Sequence, residues 1–561
     1  MTHRVRARAS FSSAALLLVL GAACGSSPEK LGDACDIDDQ DCPGDYVCAP
    51  KGDEDVCQIP KGGACELGGT DWCVGDAKCL DDGKGNGLCA TVVGEGGDCD
   101  PDPASGALCD EGLSCAELSS GGNKCFKPVT MKGKVFDAVS EAAIEGAHVI
   151  AFDATATAVT DVAISDAAGN YALTVPVPRT ADGAPDPSAS FTLRASAQDY
   201  QTFPGGLRTA LPVSGAASAT DDAGYTIQST LTDISLIPLP DAEKGNASIS
   251  GKVVAEDDLE DGVLVVAENA EGRGISAVSD RAGLYTIFNV PDGSYTVKGY
   301  AAGLQVDAVD TSVSNKAAVS GVDLLQSTDG LGTVSGSVNI VNAPGGSRTS
   351  VVLVVRSTFS DTFVRGEVPR GLRSPLAGAP NVSGGFTIEG VPEGEYVALA
   401  AFENDLLVRD PDQCQGGTEI VYTSMAKPGS QVSLDAFKIT EALAVVGPGA
   451  EQPEAVTSAP TLRWADDSSE DFYTVVVYDA YGELAWCRSD AQVNGQDCDG
   501  GNVPGANGAG NVEVAYGGPM EPGMYYQFRV TSWRSTGGGN NTCAISASED
   551  LRGVFYVDVA N

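Results

Sequence analysis

The sequence predicts an all-β chain, with tandem β-sandwich domains preceded by a small disulfide-rich repeat region. Three observations carry this. Twelve cysteines fall between residues 35 and 125 in three sets of four. Beyond Cys125 cysteine is absent until Cys414, and short runs of alternating apolar and polar residues take over. One turn-strand-turn-strand pattern then recurs in the same register at Asp280–Val297 and Asn381–Ala398. At 561 residues the chain is too long for one core and predicts several domains of about 100 residues. Aromatic residues make up only 6% and glycine reaches 69, a mix that suits small, turn-rich domains better than one large enzyme core.

The N-terminus predicts export. Arg4, Arg6 and Arg8 precede the apolar stretch Ala14–Leu20, and Gly21-Ala22-Ala23 then leads to Cys24. A basic segment, a short apolar core and small residues are the order of an export signal. The small residues before Cys24 resemble the lipobox of bacterial lipoproteins, although Gly21 holds the place where that family usually has Leu. The resemblance implies that residues 1–23 are removed and that Cys24 is acylated at the head of a lipidated tether, 24–31. Gly25-Ser26-Ser27 lacks the Asp that resembles an inner-membrane retention signal, so the expected location is the outer membrane or cell surface. No later segment reaches the roughly 18 apolar residues of a spanning helix. Val351–Val355 has the length of a buried strand, and the lipid is therefore the expected membrane attachment. A formal net charge of −43 argues against nucleic acid as a partner. It reads as a solubility device for an exposed protein.

The repeat region is placed at 32–127. Its sets are Cys35, Cys42, Cys48, Cys57; Cys65, Cys73, Cys79, Cys89; and Cys99, Cys109, Cys115, Cys125. The second and third cysteines of every set enclose five residues, and Gly32, Gly62 and Gly96 open the sets at a common distance from the first cysteine. Such a unit is too short to bury a sufficient core, and two disulfides per unit would supply about 2–4 kcal/mol each. Zinc sites favour closely spaced cysteine pairs, which are absent here. Four cysteines allow three pairings, and the spacing leaves all three open. In cysteine count and rough spacing the sets resemble the short modules of the Dickkopf N-terminal type.

Three sandwiches are expected over 128–242, 243–328 and 329–445. Gly133-Lys134-Val135, Gly251-Lys252-Val253 and Gly336-Ser337-Val338 open them. Asp or Asn with Gly makes a tight turn into a strand, aromatic and aliphatic residues two apart then share one face, and Val-Pro-x-Gly turns the chain into the next Tyr-bearing strand. The first unit departs from the pattern, because an insertion at Val177–Ser190 follows Val175-Pro176. The pattern resembles the carboxypeptidase regulatory-like domain, a transthyretin-like seven-stranded sandwich, and this implies accessory roles: supporting folding, binding ligands or spacing other domains. A fourth sandwich is expected over 446–561. Trp464, the strand Tyr473–Tyr478 and a Pro522-Gly523 turn into Tyr526-x-Phe528-x-Val530 resemble a fibronectin type III domain. Cys487 and Cys498 are the closest remaining pair, which leaves Cys414 with Cys543.

Few residues suggest chemistry. The chain has two histidines, and His3 leaves with the signal, so a zinc hydrolase with two histidine ligands or a Ser-His-Asp triad has only His148 to draw on. No nucleophile elbow or phosphate loop is present. Ser424-x-x-Lys427 matches an acyl-enzyme motif but lies in a β context. Asp98, Asp100 and Asp102 begin like a calcium loop that Pro103 interrupts, and solvated acidic loops are the more usual reading. Related surface sandwiches carry Lys–Asn isopeptide bonds, a role open to Lys134 and Lys252.

No enzymatic activity, cofactor or metal is therefore expected. The leading reading is a non-catalytic, lipid-anchored surface scaffold or adhesion protein, with a surface polysaccharide or protein as partner. The alternative is a substrate-capture lipoprotein that binds carbohydrate or peptide for an uptake or degradation system. In both, the fourth sandwich projects farthest from the anchor, and Trp486 and Trp533 are the candidate binding residues beside the Gly-rich loops at 499–510 and 537–541.

Overall fold

The computed structural model describes residues 30–558 apart from 40–41, 70–71, 82–86, 103–104, 154–156, 206–207, 209, 257–258, 342–348, 362–365, 377–380, 402–418, 441, 468–469, 507–509, 536–541 and 549–551. The expected signal segment and Cys24 lie outside the described residues, as does Cys414. The described chain is all-β, with short 3₁₀ turns and no α-helix. It divides into two compact units, one reaching Cys115 with Asn123–Cys125, the other comprising Ala116–Gly122 and everything from Phe126 onward.

In the first unit all three repeats carry the same disulfide pattern, first cysteine to third and second to fourth. The bonds are Cys35–Cys48 and Cys42–Cys57, Cys65–Cys79 and Cys73–Cys89, Cys99–Cys115 and Cys109–Cys125. The opening glycines have a structural reason. Gly32, Gly62 and Gly96 adopt left-handed φ values of 85°, 81° and 77°, where glycine carries no steric penalty. Each donates its N–H to the carbonyl of the fourth cysteine of its set, at 2.9, 2.8 and 2.8 Å. The amides of Cys57, Cys89 and Cys125 return bonds to Asp33, Gly63 and Gly97. Each repeat is thus a loop closed at both ends, by hydrogen bonds at the glycine and by two disulfides inside.

The second unit contains four sandwiches. In the first, Val129–Asp137 is central to one sheet, flanked by Asn170–Val175 on one side and by Gly224–Ile227 and Ile234–Leu236 on the other. The facing sheet runs Ala163–Ile164, His148–Asp153, Ser190–Ser196 and Val213–Ser214. The second and third sandwiches repeat this plan, with Ala247–Val254 and Gly332–Val341 in the central place. Along these strands inward apolar residues alternate with outward polar ones. Ser350–Val355 differs in being buried on both faces, as its unbroken apolar run predicts. The insertion of the first sandwich closes on itself through Arg179 and Pro185. It buries the Arg179 guanidinium between the rings of Phe126 and Tyr225, at 5.7 and 5.1 Å.

The glycine that opens each sandwich is a packing requirement. A Cβ on Gly133 would lie 1.9 Å from the carbonyl oxygen of Thr232, and one on Gly251 would lie 1.9 Å from that of Val322. The same carbonyls accept the hydroxyls of the buried Tyr171 and Tyr285. Gly336 instead makes room for the ring of Phe386. The Val-Pro-x-Gly-x-Tyr stretch is also self-supporting: Tyr295 and Tyr396 each donate to the carbonyl of the proline four residues earlier, at 2.9 Å.

The sandwiches are packed together. Between the second and third, Tyr300 meets Tyr396 edge to face at 5.9 Å. Glu268 accepts the Tyr300 hydroxyl at 2.9 Å, the Ser357 hydroxyl at 2.7 Å and the Lys298 ammonium at 2.8 Å. Between the first and third, Arg194 pairs with Glu367 at 3.2 Å, and the same arginine bonds to Ser276 of the second. The fourth sandwich returns to the first: Ala480 joins the first core, Phe136 meets Tyr481 at 5.4 Å, and Arg208 donates to the Tyr481 carbonyl from Nε at 2.9 Å. This contact sets the fourth sandwich beside the first, and the expectation that it projects farthest from the anchor involves Cys24, outside the described residues. Chain order does not set spatial order when a turn as apolar as Ala480-Tyr481 finds a partner on the first sheet.

Candidate functional site

The fourth sandwich carries the candidate residues. One sheet holds Val445–Gly447, Thr461–Ala465 and Asn511–Ala515, and the larger one is built on Phe472–Asp479 and Tyr525–Ser535. Trp464 is fully buried and meets Tyr473 edge to face at 5.4 Å. The Cys487–Cys498 disulfide closes the loop after Leu484–Arg488. Cys543 is disulfide-bonded too, and Cys414, the partner expected for it, is outside the described residues.

Trp486 is a core residue, which corrects its reading as an exposed binding aromatic. It is 5% exposed, packs edge to face on Tyr516 at 5.5 Å and donates its Nε1–H to Asp499 at 2.8 Å. The strand alternation that faces Trp464 inward on one sheet faces Trp486 inward on the other, and Asp499 satisfies the one polar atom. Trp533 is different. It stands half-buried on the larger sheet, stacked 6.3 Å from Phe472 on the neighbouring strand, with Nε1 donating to Thr474 at 2.8 Å. The structure therefore does not bring the two tryptophans to one surface. Of the Gly-rich loops, 507–509 and 537–541 lie outside the described residues.

Three carboxylates crowd the turn before Phe472. Asp466 accepts the Tyr473 hydroxyl at 3.0 Å and the Ala506 amide at 3.0 Å, and Asp467 accepts Ser532 at 3.3 Å. Glu470 lies among them with its carboxyl pushed up to about 7, by burial first and then by the charge of Asp466.

The other sequence candidates have structural partners. Asp98 is paired with Lys124 at 2.9 Å, and Asp100 accepts the amide of Asp102. The sulfurs of Cys35, Cys42 and Cys57 lie close enough together for a metal, but all three are in disulfides. Ser424 sits on the strand Val421–Met425 and donates to Glu395. Lys134 and Lys252 are exposed, which places them away from the core in which an isopeptide bond promoted by a buried acid would form. His148 lies against the second sandwich, with its ring 5.0 Å from Phe288 and edge-on to it. Burial, and then the charge of Arg194, holds its pKa below the usual histidine range.

A recess of about 450 Å³ opens beside the insertion of the first sandwich, lined by Glu117, Ser119, Ser120, Asp186 and Ser188 among others. Asp186 accepts the hydroxyls of Ser119 and Ser188, which hold its carboxyl below the usual range. The Asp-Pro-Ser run at 186–188 reads as an ordinary turn, and its partner segment is far away in sequence, so no local signal marks the recess.

No protein-family model matches the chain, and no curated protein does. Solved structures similar to it include the TIE protein of Bacillus anthracis, at 10% identity over 74% of this chain and 69% of that one, with a TM-score of 0.13. GBS52, the minor pilin of Streptococcus agalactiae, is 13% identical over 36% of this chain and all of its own, with a TM-score of 0.15. Two B repeat units of the collagen-binding protein of Staphylococcus aureus are 12% identical over 75% of this chain and 100% of their own, with a TM-score of 0.14. At TM-scores of this size the likeness carries no argument about function, and the all-β assignment stands on the strands of this chain itself.

Proposed function

We propose that the chain is a non-catalytic scaffold displayed at the bacterial surface, held to the membrane by a lipid on Cys24 and offering its sandwich faces to a polysaccharide or protein partner. The observation that carries this reading is the packing of four sandwiches into one body through Glu268, Arg194 and Arg208. A body braced in this way holds binding surfaces in fixed relation. Six disulfides in the repeat region support export, since such bonds persist in oxidising compartments. The test is fractionation of cells expressing the full chain. The wild type should need detergent for release, and Cys24→Ala should pass to the soluble fraction. Membrane retention of the variant would sink the lipid anchor. Protease added to intact cells should remove the sandwiches, and their protection would place them inside the envelope.

A second reading, carbohydrate capture, is favoured by the recess at Ser119, Asp186 and Ser188, whose hydroxyls and carboxylates suit sugar hydroxyls. A glycan array with the full chain and with Asp186→Ala distinguishes it. Binding that the variant loses supports capture, and an empty array removes it.

A further inference from the structure

The second and third sandwiches contain one residue that the first lacks, and that residue faces the preceding sandwich. In the second, Ala247 pairs with Val290 but Ile249 pairs with Ile287, so Phe288 and Asn289 together oppose one residue. In the third, Gly332 pairs with Val391 and Val334 with Ile388, which leaves Glu389 and Gly390 in the same position. These are β-bulges, which insert one extra residue and bend the strand. The last residue of each bulge is left-handed, with φ of 60° at Asn289 and 68° at Gly390. The first sandwich runs from Leu173 to Val175 with no shift of register.

Both bulges meet an equivalent turn. Ser196 pairs with His148 at the end of its strand, as Tyr300 pairs with Leu264. The segments that follow, Ala197–Tyr200 and Ala301–Leu304, each have a left-handed third residue: Asp199 at 69° and Gly303 at 83°. The N–H of that third residue points at the bulge in both junctions. Asp199 donates to Asn289 Oδ1 at 2.6 Å, and Gly303 donates to the Gly390 carbonyl at 2.9 Å. Asn289 also accepts Gln198 Nε2 at 3.1 Å and donates from Nδ2 to the carbonyls of Ala197 and Tyr200, at 2.9 and 2.8 Å. Its amide is therefore saturated by the neighbouring sandwich. At the second junction the backbones come closer, since a Cβ on Gly390 would lie 2.8 Å from the Gly303 nitrogen.

We propose that the bulge residue before each Val-Pro pair is a docking key, whose partner is the left-handed turn that follows the fifth strand of the preceding sandwich, Ser190–Ser196 in the first and Gly293–Tyr300 in the second. The key sets consecutive sandwiches in one repeated arrangement. The first sandwich, which has no predecessor, has no key. The rule does not depend on where the protein is anchored or on what it binds.

The test is Asn289→Gly in the full chain. Glycine keeps the left-handed backbone without strain and removes the four side-chain bonds. Amide hydrogen exchange should accelerate at least tenfold at Asp199, while amides of the core strand Gly293–Tyr300 keep their rates. Small-angle scattering should show an enlarged radius of gyration. Gly390→Asn tests the second junction: asparagine tolerates the φ, but its Cβ meets Gly303, so exchange should rise at Gly303. Unchanged exchange at Asp199 in Asn289→Gly, with an unchanged scattering profile, would overturn the proposal and make the bulge an internal feature of its own sheet.

Discussion

The contact that most sharply separates a braced body from a string of independent domains is Glu268. It belongs to the second sandwich and accepts Ser357 of the third, as well as Tyr300 and Lys298 of its own. Tyr300 is fully buried and packs on Tyr396 across the junction. Glu268→Ala removes the acceptor of the buried Tyr300 hydroxyl, and leaving such a group unsatisfied costs about 1–3 kcal/mol. The ion pair with Lys298 is partly exposed and adds under about 1 kcal/mol. Loss of the Ser357 bond brings the total to roughly 3 kcal/mol. Glu268→Gln keeps an acceptor and should cost about 1 kcal/mol. Scanning calorimetry of the full chain reads both. A domain of this size loses about 4–8 °C per kcal/mol if it unfolds alone, and less if its neighbours unfold with it. Glu268→Ala should therefore lower the transition of the second and third sandwiches by at least 5 °C, and by more than Glu268→Gln. If both variants melt within 1 °C of the wild type, the junction contributes nothing and the sandwiches are independent.

Two further outcomes follow from the packing. Gly251→Ala places a Cβ 1.9 Å from the Val322 carbonyl and should destabilise the second sandwich by at least about 3 kcal/mol, whereas Gly385→Ala, whose Cβ would meet the Gly336 carbonyl oxygen at an ordinary 3.9 Å, should be neutral in the same melting assay. His148 has a pKa lowered by burial and then by Arg194. The stability tied to its neutral form is therefore complete above the unfolded pKa of about 6.5 and is lost as pH falls through the lower folded value. His148→Gln should flatten the fall in melting temperature between pH 7 and 5, and the comparison with wild type cancels the titration of Glu470 in the same window. A variant that keeps the wild-type slope would show that His148 does not drive it.

Much of the fold is legible because it is local. The cysteine sets, the turn glycines and the Asp280 turn into Tyr285 are written in short stretches whose partners lie within one unit. The Cys487–Cys498 bridge could be read from spacing for the same reason. The common pairing of the repeats could not, because three pairings satisfy the same spacing and only the folded geometry separates first-to-third and second-to-fourth from the others. The burial of Trp486 is not legible in the sequence, because tryptophan near a Gly-rich loop looks the same whether it faces the core or the solvent. Its partner Asp499 lies across a turn that carries no periodic signal. The return of Tyr481 to Arg208 joins residues that no pattern connects.

The bulge shows what kind of information was present and unread. Ile287-Phe288-Asn289-Val290-Pro291 and Leu173-Thr174-Val175-Pro176 differ by one residue, which taken as a strand pattern is only an irregularity. It gains meaning from the neighbour: the added residue presents an acceptor beyond its own sheet, the side-chain oxygen of Asn289 in one case and the backbone carbonyl of Gly390 in the other. Here the partner is supplied twice by the same turn. A surface made by two sandwiches held in a fixed setting can have a shape that neither has alone. With Trp464 and Trp486 both buried in the core of the fourth sandwich, such shared faces are the better place to look for recognition than the loops of the last domain.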